Sequence, residues 1–243
     1  MNETYVVVDL ETTGLNPKTD KIIEIGAIRI ENGTVTSSFC QLVNPGVQLS
    51  DKVKELTNIT DEDLQNVPYI EEVLPAFLEF AGDSVLIGHH VIFDFSFLKR
   101  AFVNQGMSFE RKGIDTLRIA RCFLAQEESK KLPDLCRRLG ITHHPHRALS
   151  DVQATWELYQ YLHHTFYKDA LSDAQKAVFA PVTLVYEVKK EAKASKRQIA
   201  QLKAFYERLN LQPAEDLERL TKNEASRRYD RLVNQFGYPK KEV

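Results

Sequence analysis

The chain opens with three short stretches in which apolar residues are nearly continuous or alternate with polar ones, at positions 5–11, 22–33 and 35–45. Such runs predict strands. The segment "TTGLNPKTD" between the first two and the pair Asn32-Gly33 between the second and third carry turn chemistry, and an Asn-Gly pair between apolar runs signals a tight hairpin. Consecutive antiparallel strands follow, with residues 5–10 central because they are the most continuously apolar. Helical spacing then takes over. Residues 51–60 and 60–82 read as helices, 84–88 as a short strand, and 93–106 as a helix with Phe95, Leu98 and Phe102 on one face. Residues 113–124 and 132–140 continue the alternation, the latter with Leu132, Leu135 and Leu139 along one stripe and Gly140 placed to end the helix. A last helix over 148–164 aligns Leu149, Val152, Trp156 and Tyr159. The pattern predicts a mixed α/β sheet.

Beyond residue 166 the periodicity loosens, with one short strand expected within 182–188. It returns in an amphipathic helix carrying Ile199, Leu202 and Tyr206 and in a second helix that starts at Thr221. The expected organisation is therefore an α/β domain over 1–170, a connector over 171–195, and a small helix–loop–helix module over 196–243. Charge sharpens that division. Residues 1–181 hold 18 basic against 25 acidic side chains and residues 182–243 hold 14 against 9, so an overall net charge of −2 hides an acidic body and a basic tail. A basic tail is a common feature of nucleic-acid partners. No apolar run is long enough to span a membrane, no leader pattern starts the chain, and Cys40, Cys122 and Cys136 form no CxxC pair. A cytoplasmic protein with structural thiols and no membrane partner is expected.

Candidate chemistry begins where the first strand ends. Asp9 and Glu11 are two apart, so on a strand both face the side shared by Tyr5 and Val7. Two carboxylates about 4 Å apart repel by roughly 4 kcal/mol at an effective dielectric near 20, which a divalent cation would offset. An isolated D-x-E at a strand end is nevertheless usually a pair of solvated acids. Asp94 opens a helix and is explained equally by N-capping. His146 precedes a helix and Asp151 lies in that helix's first turn, where capping again suffices. Glu24 reads either as a supporting residue behind the site or as an ordinary polar strand position. A zinc site through His143 and His144 is disfavoured by their spacing and the lack of nearby cysteine.

Taken in order, the strand-borne "DLETTG", the "HHVIFDFSFL" segment and "HRALSD" resemble the motifs of the DEDDh, or DnaQ-like, 3′-to-5′ exonucleases, a family that includes proofreading subunits of bacterial DNA polymerases. The resemblance covers about residues 3–165. It implies a ribonuclease H-like fold with helices on both faces of the sheet. Asp9, Glu11, Asp94 and Asp151 would hold two Mg²⁺ or Mn²⁺ ions, and His146 would act as general base on the attacking water. The reaction would release nucleoside 5′-monophosphates from DNA 3′ ends, single-stranded or frayed. The chemistry agrees: phosphodiester hydrolysis uses a metal-activated hydroxide and charge neutralisation, oxygen ligands suit Mg²⁺ and Mn²⁺, and imidazole accepts protons near neutral pH.

The same resemblance points to Thr12, Thr13, Gly14, Leu15, His89 and Phe93 as substrate contacts, with Leu15 wedging against the last base and Phe93 stacking on one, although Leu15 and Phe93 read equally well as ordinary core residues. The family usually carries Asn after the histidine at 89, whereas this chain has His90. An RNA 3′-to-5′ exonuclease is the alternative reading, and a non-catalytic docking subunit is a third. A DNA polymerase or a sliding clamp is a candidate protein partner, the clamp through "QKAVF" at 175–179, which loosely resembles a clamp-docking peptide and is a pattern that also arises by chance. Lys196, Arg197, Lys203, Arg227, Arg228 and Arg231 are candidates for phosphate contacts in the tail.

Overall fold

The computed structural model describes residues 4–145, 147–213 and 216–238. Its sheet has six strands in the order β3-β2-β1-β4-β5-β6. Strands β1 (Thr4–Thr12), β2 (Ile22–Glu31) and β3 (Thr34–Leu42) form an antiparallel meander. Asn32 and Gly33 at its hairpin both adopt positive φ, 52° and 80°, as the Asn-Gly signal requires. Strands β4 (Val85–Gly88) and β5 (Lys112–Asp115) extend the sheet parallel to β1, and β6 (Val182–Thr183) closes it antiparallel to β5.

Side chains alternate across β1 and so build two cores. Val6, Val8 and Leu10 pack with Phe77 of α3 (Ile70–Ala81) and with Phe95, Leu98 and Phe102 of α4 (Val91–Asn104). Val7 faces the other way, into a core shared with Ile119 of α5 (Thr116–Phe123), Leu135 of α6 (Leu132–Leu139) and Val152 and Trp156 of α7 (Ala148–Phe166). Fully burying side chains of this size stabilises by roughly 1.5–3 kcal/mol each, which fixes the register of β1 against both layers. Helices on both faces of a mixed sheet match the ribonuclease H-like expectation. The short helices α1 (Asp51–Thr57) and α2 (Asp61–Leu64) cover a smaller cluster around Ile23, Leu49 and Val53.

Two expected boundaries move. Helix α4 begins at Val91 rather than 93, because His90 takes the left-handed conformation (φ 80°, ψ 46°) as its N-cap. The expected connector is in large part not a connector. Helix α8 (Asp173–Lys176) and β6 belong to the larger unit, where Phe179 packs among Phe123, His163 and Tyr167, and Leu184 lies in the α3/α4 core. The chain divides into two compact units, residues 1–45 with 49–188, and residues 46–48 with 189–243. Apolar anchors at 179 and 184, sparse in the sequence, hold 171–188 in the first unit.

The second unit has its own core of Ile199, Leu202, Phe205 and Tyr206 from α9 (Lys196–Arg208), Leu217 and Leu220, and Ala225 and Leu232 from α10 (Lys222–Phe236). Both helices start in capping boxes, Ser195 with Gln198 and Thr221 with Glu224, a sequence-local device that specifies where each helix begins. Among the described residues no helix is long and apolar enough to cross a membrane.

Candidate active site

Three carboxylates converge at the carboxyl end of β1. Oxygens of Asp9, Glu11 and Asp151 all lie within 4.8 Å of one another, and they are the group of acids, histidines and cysteines among the described residues that could hold a metal ion. Asp9 and Glu11 reach this point because the pleat puts them on the face of Val7, beneath α7, and Asp151 reaches it from the first turn of α7. Close approach of that helix depends on Gly26 in β2, opposite Asp9 in the ladder: a Cβ there would run into the backbone of Ala148. Asp94 arrives from the other layer. Its Oδ1 accepts the amide of Leu10 at 3.0 Å, across 84 residues, so it is tied to β1 between Asp9 and Glu11 and is buried there.

Burial and mutual repulsion dominate the electrostatics. Burial, followed by the charges of Asp151, Glu24 and Asp94, pushes the Glu11 carboxyl up to about 8. Asp9 is raised well above the usual carboxylate range by burial and then by Asp94, Asp151, Glu11 and Glu24. For Asp94, burial outweighs the hydrogen bond from Leu10 and raises it to about 8. At such separations each ionised pair repels by roughly 3 kcal/mol at an effective dielectric near 20. Partial relief comes from Arg147, whose charge lowers Glu11 and whose Nη2 lies 3.6 Å from Glu24.

The supporting residues are built from β2, β5 and the loop before α7. Glu24 pairs directly with Glu11 in the β1/β2 ladder, an unfavourable like-charge arrangement by itself. Its Oε2 instead accepts the amide of Ala148 at 3.1 Å, so this buried acid caps the helix that carries Asp151. Asp151 accepts from both sides: His143 Nε2 donates to Oδ1 at 2.7 Å and the Arg147 amide to Oδ2 at 3.1 Å. The capping explanation for Asp151 therefore holds alongside its place in the cluster. Sequence reasoning set His143 aside with the zinc idea, and no local pattern marked its reach to Asp151.

At the far side of Asp94, His89 is used internally. Its Nε2 donates to Lys130 O at 2.7 Å and its Nδ1 lies 2.9 Å from the Thr116 hydroxyl, and burial lowers its pKa. The ring thereby pins the loop before α6 to the end of β4. Asp115 accepts the amides of His90 and Leu117 through one oxygen, both at 2.9 Å. His90 sits at a left-handed position, which Asn, Asp and His adopt more readily than other non-glycine residues.

A family model described as an exonuclease (RNase_T) matches residues 6–159, the span that contains Asp9, Glu11, Asp94 and Asp151. The chain belongs to this exonuclease family. Within the family it is similar to the DNA polymerase III subunit epsilon of Aquifex aeolicus, 36% identical over 177 residues that make up 71% of this chain and 87% of that one. It is also similar to the PolC-type DNA polymerase III of Clostridium perfringens, 40% identical over 161 residues, 66% of this chain. The match spans only 11% of that much longer polymerase. In fold it is similar to Escherichia coli exonuclease I solved with a dT13 oligonucleotide, with a TM-score of 0.61, 19% identity, and coverage of 66% of this chain and 41% of that one.

Around this carboxylate cluster the expected substrate residues occupy distinct surroundings. The Thr12 hydroxyl donates to Gly14 O at 2.7 Å and Thr13 Oγ1 accepts the Lys21 amide at 2.9 Å, so both hydroxyls shape the turn after β1. Leu15 at its tip is 84% exposed, which removes the explanation of it as a core residue. Phe93 is half-buried against Phe97, ring centroids 5.0 Å apart. His146 lies outside the described residues. Phe179 of the "QKAVF" segment is 5% exposed within the ring cluster of the exonuclease unit, so this segment is not an exposed clamp-docking peptide.

Proposed function

We propose that the chain removes nucleoside 5′-monophosphates stepwise from DNA 3′ ends, single-stranded or frayed, with two divalent cations, Mg²⁺ or Mn²⁺. The observation that carries this reading is the meeting of Asp9, Glu11 and Asp151 at one point of an exonuclease-family domain. The donor set fits the cations: it is all carboxylate, which suits hard Mg²⁺ or Mn²⁺ better than zinc, and its buried negative charge is otherwise only partly balanced. Asp9, Glu11 and Asp151 would hold the ions, with Asp94 as the fourth carboxylate. Bound there, the ions supply a hydroxide nucleophile near neutral pH and neutralise charge on the phosphoryl group under attack.

The chain's own groups do the rest. The sheet holds β1 in place on both sides, so Asp9 and Glu11 are fixed beside one another where the cations would bind. The turn at Thr12, Thr13 and Gly14 receives the terminal nucleotide, Leu15 wedges against its base, and Phe93 stacks beside Asp94. His146, five residues ahead of Asp151, accepts the proton of the attacking water. The polymerase relatives, and the oligonucleotide bound to exonuclease I, support DNA over RNA and support proofreading beside a DNA polymerase.

The test is digestion of labelled single-stranded DNA, mismatched duplex DNA and RNA of matched sequence with Mg²⁺, Mn²⁺ or chelator, beside Asp9→Ala and His146→Ala. Shortening of DNA from the 3′ end, lost with chelator and in both variants, is expected. Preference for RNA would replace the substrate assignment, and digestion of nothing by the unmutated chain would overturn the function.

A further inference from the structure

We propose that His143 is a positioning residue that holds the Asp151 carboxylate in the orientation that serves the cation site. This rests on the reading of Asp9, Glu11 and Asp151 as that site. Asp151 sits in the first turn of α7 facing two other acids within 4.8 Å, and repulsion favours any rotamer that swings it away. Two donors oppose that rotation, one on each oxygen: His143 Nε2 at 2.7 Å and the Arg147 amide at 3.1 Å. Each carboxylate oxygen has two acceptor directions, so one donor per oxygen fixes the group and leaves a direction on each for a cation.

The geometry of the donor matters: a short, planar imidazole places a single N–H on Asp151 Oδ1 from a fixed ring, whereas a long, flexible lysine would not hold one orientation. The His143 side chain is 4% exposed, and its loop is tied to the same helix by the His144 amide donating to Ser150 Oγ at 2.9 Å. The imidazole is thus held by its own backbone and is not a surface group folded in by chance. Hydrogen bonds to metal-binding carboxylates are worth about 10–100-fold in metal affinity or activity.

The experiment is calorimetric titration of Mn²⁺ into the full chain and into His143→Leu, His143→Asn and His143→Gln, with unfolding of each followed in chelator. Gln places an amide N–H near the Nε2 position, while Asn keeps polarity but falls short of Asp151. The account expects the Mn²⁺ Kd to rise about 10–100-fold in Leu and Asn, to return to within a few-fold of the unmutated value in Gln, and the Mn²⁺ needed for half-maximal DNA digestion to follow. Should Leu fail to fold, Asn carries the comparison. An unchanged Kd in Leu or Asn, or an equal loss in all three variants, overturns the positioning role while leaving the cation site intact. An unmutated chain that binds no Mn²⁺ overturns the cation site itself, and the inference with it.

Discussion

The carboxylates at the end of β1 and those at the starts of α2 and α6 are the same chemical group in opposite surroundings. Asp63 accepts the amide and hydroxyl of Thr60, each at 2.8 Å, and Asp134 accepts the Ser129 hydroxyl at 2.6 Å and an Arg137 guanidinium N–H at 3.1 Å. These bonds hold both acids below the usual carboxylate range. Asp9, Glu11 and Asp94 are raised instead, by burial and by one another. At Asp63 and Asp134 donors decide the outcome in the open, whereas at the β1 end burial and neighbouring acids outweigh even the amide that Asp94 receives from Leu10, an arrangement that costs stability and that the proposed cations would offset.

The largest effect that would break this contrast is catalytic. Asp9→Asn should cut Mn²⁺-dependent DNA digestion by roughly 10²–10³, since several kcal/mol of charge stabilisation depends on the bound ions. The same substitution should raise the thermal midpoint of the metal-free chain at pH 8. Retained digestion, or a lowered midpoint, would mean that Asp9 belongs with the fold-serving acids.

Next in size is the pH dependence of the metal-free chain. A Glu11 carboxyl raised from its ordinary value of 4.5 to about 8 adds stability that is fully present below about 4.5 and is lost as pH rises through 8. Asp9 and Asp94 act in the same direction. Asp63 and Asp134, lowered from 3.8, add stability that is present above 3.8 and lost as pH falls below it. Unfolding followed at pH 5 and pH 8 in chelator should therefore show the unmutated chain losing more stability than Glu11→Gln. Equal losses would remove the mutual repulsion from the account.

A smaller effect sharpens the other side of the comparison. Thr60→Ala breaks the capping box at α2 and should cost about 1 kcal/mol, with DNA digestion unchanged. A change in digestion would link that cap to the active site.

Much of this was legible in the sequence, for identifiable reasons. The period-2 alternation of β1 put Asp9 and Glu11 on one face with Val7, and the hairpin at Asn32-Gly33 fixed β2 against β3. The 3.6-residue stripe of α7 was equally plain, because Val152 and Trp156 pack where their spacing puts them. What escaped was set by long-range geometry. Which β2 residue faces Glu11 depends on the path of the loop at 13–21, which carries no register signal, so the pairing with Glu24 could not be read. The bond from Asp94 to the Leu10 amide spans two layers, and that from His143 to Asp151 depends on the loop's course over α7. The short strand expected within 182–188 is present as β6, but residues 171–188 otherwise read as a connector because two buried anchors, Phe179 and Leu184, make too weak a pattern to announce that the segment packs into the larger unit.

The fold alone leaves the β1 end electrostatically unbalanced, and the proposed cations would balance it. Trp156, the single tryptophan of the chain, is buried in the exonuclease unit, so its fluorescence reports unfolding of the unit that holds the site. Thermal unfolding of the full chain at pH 8, followed through Trp156 with increasing Mn²⁺, is the most direct test. Binding to the folded state should stabilise it by about 2.7 kcal/mol when free Mn²⁺ reaches a hundred times its Kd, a rise of several degrees in the midpoint, and Asp9→Asn should abolish most of that rise. A midpoint that Mn²⁺ does not move would contradict the account.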